Sequence, residues 1–265
     1  MTADLIKPQA VVCLLRDTLR LADNPALVAA VREAQRLQAL LIPLTCLQPN
    51  RWTAEQFGFA RAGPAWQRFR MESLLALKAD LEQQGSTLWT AEETLSQALQ
   101  RVSASVEVCC VVTDLPLATE ERLENAGLVS NGYRVIALES AELFDEAQLP
   151  FALSDLPSTF SKFRKAVEKK HALSPAAPLA VPRLSALHKQ PWPDPLEYLA
   201  QSGAQALQAV SHLSGGREAG LAYWQGYLES TALSHYKETR NAFEGLYQSS
   251  YLSPWLSHGC LSARE

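Results

Sequence analysis

Five short apolar runs with helical patterns between them, all within the first 140 residues, leave this chain few ways to fold. "AVVCLL" (Ala10 to Leu15) is continuous and rich in β-branched residues, as a strand covered on both faces must be. It leads into "ADNPALVAAVREAQRL", where Asp23 or Asn24 can cap a helix and Pro25 suits its first turn. "ALLIPLTCL" (Ala39 to Leu47) is the second run. Pro43 removes a ladder donor from it, so a bend or bulge is expected there. "STLWT", "VEVCCVVTD" (Val106 to Asp114) and "YRVIALE" (Tyr133 to Glu139) supply three more strands. Between them lie a long helical pattern from Pro64 to Gln84, stopped by Gly85, a second from Glu92 to Val102, and a third from about Thr119. Strands alternating with helices in this way predict an α/β fold built on a five-stranded, doubly wound parallel sheet.

Beyond residue 140 the pattern changes. Six prolines fall between Pro175 and Pro195, which suits an extended connector running over a surface. After Gly215 and Gly216 a helical pattern returns, with Leu221, Trp224, Tyr227 and Leu228 sharing a face. The expected organisation is an α/β domain over 1–140, a connector over 141–213 and the beginning of an all-helical domain over 214–265.

A net charge of −4 argues against a uniformly nucleic-acid-binding surface but leaves room for a local basic patch. No apolar run approaches the ~20 residues needed to span a bilayer, and "MTADLIKPQA" lacks the basic start and apolar core of a signal peptide. Cys13, Cys46, Cys109, Cys110 and Cys260 form no C-x-x-C pair, so buried thiols in a reducing, cytoplasmic setting are expected. The five histidines show no metal-ligand spacing, and no metal site is expected. Neither G-x-G-x-x-G nor G-x-S-x-G occurs.

Two stretches remain. In "TDLPLATEER", Thr119 as a helix cap, with Glu120 and Glu121 favouring the helix dipole, accounts for the residues without any ligand. In "SSYLSP", the hydroxyls of Ser249, Ser250 and Ser253 meet the amides of a helix starting at Pro254, a setting that suits a diphosphate. Ser253 acting simply as a cap is the competing account. The basic run "SKFRKAVEKKH" (Ser161 to His171) reads as a solvated helix face.

"RDTLRLADNPAL" (Arg16 to Leu27) resembles the opening signature of the photolyase/cryptochrome family. "FGFARAGPAWQRFRMESL", "LPSTFSKFRKAVE" and "YKETRNAFEGLYQSSYLSPWLSHGCLS" resemble its DASH branch. The resemblance implies an antenna-binding α/β domain followed by a helical FAD domain. Its activity would be blue-light-driven, FAD-dependent repair of cyclobutane pyrimidine dimers, preferentially in single-stranded DNA, by a monomer that needs no membrane. A non-enzymatic photoreceptor of the same fold, or an inactive truncated fragment, is the alternative. Carried over by position, Tyr236, Ser249, Ser250, Tyr251, Leu252 and Ser253 would bind FAD, and Arg240 would contact DNA. Glu120 or Glu121 would help hold a methenyltetrahydrofolate antenna, and no residue would be catalytic in the strict sense. The chain departs from the pattern at Thr18, where aspartate is usual, and at Arg217, where an acidic residue is usual. The resemblance also implies that the chain is the front half of such a protein. Most of the flavin cage would be missing, stoichiometric FAD would not be retained, and the face of Leu221, Trp224 and Tyr227 would lack partners.

Overall fold

A computed structural model describes residues 7–49, 52, 58–170, 176–185, 188–198, 213–242 and 247–265. Five strands, β1 (Gln9–Leu14), β2 (Leu40–Cys46), β3 (Trp89–Ala91), β4 (Glu107–Asp114) and β5 (Val135–Leu138), form one sheet in the order β3-β2-β1-β4-β5. Every pairing is parallel. The connecting helices are α1 (Pro25–Leu37), α2 (Pro64–Gln83), α3 (Leu95–Ser105) and α4 (Thr119–Ser130). The expected doubly wound sheet is therefore present, with α3 starting three residues later than its sequence pattern suggests. Thr94 and Gln97 fix that start through a reciprocal capping box.

β1 shows why an unbroken apolar run was required. Val11, Cys13 and Leu15 enter the core under α1 and α2, while Ala10, Val12 and Leu14 enter the core under α3 and α4. Pro43 causes no break in β2: it stands opposite Cys13 in unbroken register. Leu44 accepts from the Leu15 amide of the β1 side, so the missing donor of Pro43 faces β3, where pairing begins only at Leu44. The irregularity lies in β4 instead, where the register with β1 skips Cys109. At the start of α1 the choice between two caps resolves to Asn24, which accepts from the Leu27 amide at 2.9 Å. Asp23 has a different task, described below.

The connector straps the β3 edge. The Trp192 indole donates to the Thr90 carbonyl, Trp89 donates to His188, and the two tryptophans meet edge to face at 5.1 Å. Lys78 of α2 joins Asp194 at 2.6 Å and Glu197 at 2.7 Å, tying the strap to the helix beneath it. Further along are α5 (Phe160–Lys170), α6 (Arg217–Glu229), α7 (Tyr236–Thr239) and α8 (Ser253–Ser257). No described helix is long and apolar enough to cross a membrane. The five thiols are free, and burial pushes that of Cys46 up to about 12.

The expectation that α6 presents a partnerless face is corrected. Tyr227 is buried, stacked on Trp224 and in contact with Tyr247, while Leu221 and Leu228 point to solvent. The packed stripe is Gly220, Tyr223, Trp224 and Tyr227, at helical spacing. It can be packed because Gly220 lets Trp255 lie against the helix backbone.

Candidate functional site

In the order β3-β2-β1-β4-β5 the chain leaves β1 and β4 in opposite directions, which opens a crevice between their carboxyl ends. A cavity of about 410 Å³ occupies that crevice. Asp17, Asp114, Leu117 and Glu121 line it from the sheet side, and Leu256, Leu261 and Ser262 line it from the C-terminal segment. Burial raises the pKa of Asp114, and the neighbouring Arg16 works against that shift. Arg16 itself turns away to Thr113, Glu124 and Asn125, and Arg70 pairs with Asp17 at 2.7 Å. The lining is mostly apolar and acidic, and its two arginines, Arg16 and Arg20, are committed to other partners.

The two antenna candidates have different surroundings. Glu120 meets Arg61 through two bonds of 3.0 Å at the surface, whereas Glu121 lines both the large cavity and a smaller one beside Arg16 and Trp52. Thr119 is not the cap of α4: the cap position is Ala118, which has no side-chain bond to give. The acidic first turn faces those uncapped amides, as the dipole favours.

The C-terminal segment is locked onto the loop after β1. The Leu19 amide donates to the His258 carbonyl, and buried Arg20 donates to the carbonyls of Asp23, Ser140 and Gly259. Asp23, fully buried, accepts from the Leu179 amide of the connector at 3.0 Å, from Arg264 at 3.0 Å and from the Ser262 hydroxyl. One carboxylate thus joins three segments of the chain. Thr18, the departure noted in the sequence, is buried where Gly259 crosses it. Arg217, the other departure, pairs with Glu265 through bonds of 2.6 and 2.7 Å. His258 sits between Trp66 and Phe69, its ring centroid 5.3 and 5.0 Å from theirs. Burial lowers its pKa, although its Nδ1–H donates to the Pro254 carbonyl at 2.9 Å.

Just before this lock lies the serine cluster. Ser249, Ser250, Tyr251 and Leu252 are half-buried and Ser253 is exposed. The hydroxyls of the three serines bond to no described residue. Ser253 caps nothing: it is the first residue of α8, and the cap position is Leu252. Tyr247 and Tyr251 hold φ values of 66° and 46°, a left-handed conformation that side chains disfavour. Tyr223, against Tyr247 and Trp255, buries a hydroxyl that has no hydrogen-bond partner among the described residues. α7 is tied to the same loop, because Thr239 donates to the Gln248 carbonyl at 3.2 Å. Tyr236 opens α7 and Arg240 is its C-cap one turn on, both exposed.

The family model described as DNA photolyase matches residues 11–183. The chain belongs to the DNA photolyase family. Among its curated relatives, the cryptochrome DASH of Gloeobacter violaceus is 32% identical over 94% of this chain and 50% of its own length. That of Vibrio parahaemolyticus is 34% identical over 93% of this chain and 53% of its own. The crystal structure of a Synechocystis cryptochrome superposes with a TM-score of 0.77 at 27% identity, covering 98% of this chain and 55% of that one. A class III photolyase from Agrobacterium tumefaciens, at 23% identity and a TM-score of 0.69, shares the fold. The chain spans about half the length of the curated relatives it matches.

Within this photolyase fold Thr239 ties the segment carrying Tyr236 and Arg240 to the serine loop. Glu120 and Glu121 belong to a different element, the first turn of α4 beside the crevice. Sequence reasoning missed Arg20, Asp23, Gly259, Ser262 and Arg264. Two of them carried a signal. Asp23 and Asn24 cannot both cap α1, so one had to serve elsewhere, and Gly259 follows a helix where a positive φ is usual.

Proposed function

We propose that the chain is the light-harvesting and flavin-anchoring part of a DASH-type photolyase. The proposed activity is blue-light-driven repair of cyclobutane pyrimidine dimers, preferentially in single-stranded DNA, where less pairing energy opposes extrusion of the lesion. Residues 1–140 would form the antenna domain, 141–213 the connector and 214–265 the start of the flavin domain of a cytoplasmic monomer. One observation carries the reading: three serine hydroxyls without partners among the described residues, on a loop whose tyrosines sit in a left-handed conformation. A loop of that kind is strained and under-bonded by itself and fits an acceptor-rich diphosphate.

When bound, FAD supplies the light-driven electron transfer. The protein's own residues bind and orient. Ser249, Ser250 and Ser253 would donate hydroxyl protons to the diphosphate, assisted by backbone amides of the loop. Tyr236 and Tyr251 would wall the cofactor, with Leu252 shielding it. Arg240, exposed one turn from Tyr236, would meet the DNA backbone. Glu121 would accept N–H donors of a methenyltetrahydrofolate in the acidic crevice, where Asp114 adds a second acceptor. Glu120 would act through its pair with Arg61.

The deciding experiment is light-dependent repair of a dimer-containing single-stranded oligonucleotide by the flavin-loaded full-length protein. Repair is expected; intact dimers despite bound FAD would favour the photoreceptor. Two side-chain predictions accompany it. Replacing Ser249 and Ser250 together by alanine should leave stability unchanged, because their hydroxyls make no bond to any described residue. FAD affinity should fall at least about tenfold, since each bond to a charged acceptor contributes about 1.5–3 kcal/mol. Flavin fluorescence titration reads this, and unchanged affinity sinks the cradle. Glu121→Gln should reduce folate retention several-fold, whereas Glu120→Gln should leave it within error, as absorption of reconstituted protein would reveal.

A further inference from the structure

His258 stands where the C-terminal segment meets the sheet domain, and neither the sheet nor the serine loop explains its ring. The residue is 4% exposed, with Trp66 and Phe69 of α2 flanking it. Its backbone carbonyl receives the Leu19 amide at 3.1 Å, and the next residue, Gly259, crosses the backbone of Asp17 and Thr18. With Nδ1–H donating to the Pro254 carbonyl, Nε2 carries the lone pair of a neutral imidazole. That nitrogen is buried and has no hydrogen-bond partner among the described residues.

The charged groups facing the ring come from two elements. Arg70 of α2 opposes its protonation, and Asp17 of the loop after β1 favours it. Asp17 is already neutralised by Arg70 at 2.7 Å. Trp66 offers an imidazolium its ring face, but the Arg70 guanidinium already lies 5.5 Å from the same centroid. On the segment of His258 itself, Cys260 is two residues away, and burial keeps its thiol neutral. A second proton on the ring therefore places an N–H without an acceptor, and a positive charge beside Arg70, inside the joint. We propose that His258 is an acid-released latch: its neutral ring keeps the C-terminal segment docked on α2 and the loop after β1, and protonation loosens it. The sign follows from burial, which holds the folded-state pKa below the usual histidine value. The unfolded chain then binds more protons, so stability falls as pH drops below about 6.5. Asp23 titrates lower, so His258 is the first part of the lock to yield on acidification. Ser253 opens the helix that His258 caps, so release also moves the serine loop. That consequence for flavin rests on the cradle reading; the latch itself does not.

The test is urea unfolding of the whole chain, read by tryptophan fluorescence from about pH 7.5 to about pH 5.5. The comparison is His258→Phe, which keeps an aromatic ring between Trp66 and Phe69 but cannot titrate. The folding constant of the parent, divided by that of the variant, should fall by up to about tenfold per pH unit below about pH 6.5. A ratio that stays constant over this range overturns the proposal. Should His258→Phe fail to fold, NMR titration of the parent's imidazoles decides. The His258 ring should then protonate below about pH 6.5, in step with a change in tryptophan fluorescence. Protonation at or above that value, or without the fluorescence change, overturns the latch. FAD titration at the two ends of the pH range keeps the two readings apart. If the latch opens and flavin affinity does not change, the latch stands and the serine cradle falls.

Discussion

Gly259→Ala should destabilise the protein by about 3 kcal/mol or more and detach the C-terminal segment from the sheet domain. Gly259 has φ of +64°, and a Cβ built on it would lie 2.1 Å from the Asp17 carbonyl oxygen and 2.6 Å from the Thr18 Cα. Neither neighbour is a side-chain tip that can rotate away. Relief requires the two backbones to part, which breaks the bond from Leu19 to the His258 carbonyl and that from Arg20 to the Gly259 carbonyl. Trp255 would lose its packing against Gly220 and Phe69, so its fluorescence should report the opening. The control is Gly132→Ala, at φ of +86° with nothing within 4 Å of its added Cβ. It should cost about 1 kcal/mol from backbone conformation alone. Urea unfolding followed by tryptophan fluorescence compares the two. Equal losses would mean that the close approach at Asp17 carries no energy.

The contrast between these glycines marks where sequence reasoning works. Strand identity in the sheet was legible because β1 and β4 are buried on both faces, and an unbroken apolar run has few other uses. Pro43 misled because its effect depends on which neighbour its missing donor would have faced, and only the stagger of β3 decides that. α6 misled for a similar reason. Leu221 and Tyr227 look equivalent in a helical pattern, but Gly220 selects which side Trp255 approaches. The serine loop was legible as a motif. Its backbone strain at Tyr247 and Tyr251 was not, because no local residue preference places tyrosine in a left-handed conformation. Asp23, Ser262 and Arg264 lie over 230 residues apart in sequence at their extremes. A contact of that separation leaves no periodicity to read.

That contact gives the second large effect. Asp23→Asn should cost about 3–5 kcal/mol at neutral pH, because among the described residues Arg264 is left with the exposed Asp145 carboxylate at 3.5 Å. The loss should depend on pH in a defined sense. Burial raises the pKa of Asp23, but hydrogen bonds from Ser262, the Leu179 amide and Arg264 outweigh it, and the net shift is downward. The folded protein therefore binds fewer protons here than the unfolded chain, whose aspartate titrates near about pH 4. The stabilisation is complete above that value and is lost as pH falls through the folded-state pKa. Asp194 and Glu265 are also depressed, but they are present in both proteins and cancel in the difference. The gap between parent and Asp23→Asn should thus be constant from about pH 5 to 8 and close steadily below it, since a protonated aspartate is nearly an asparagine. Urea midpoints measured from pH 8 to 3 would trace the gap. A gap that stays constant to pH 3 would mean that Asp23 holds the three segments by shape and not by charge. The serine loop, which ends at Ser253 just before the locked segment, should then lose its position equally at every pH.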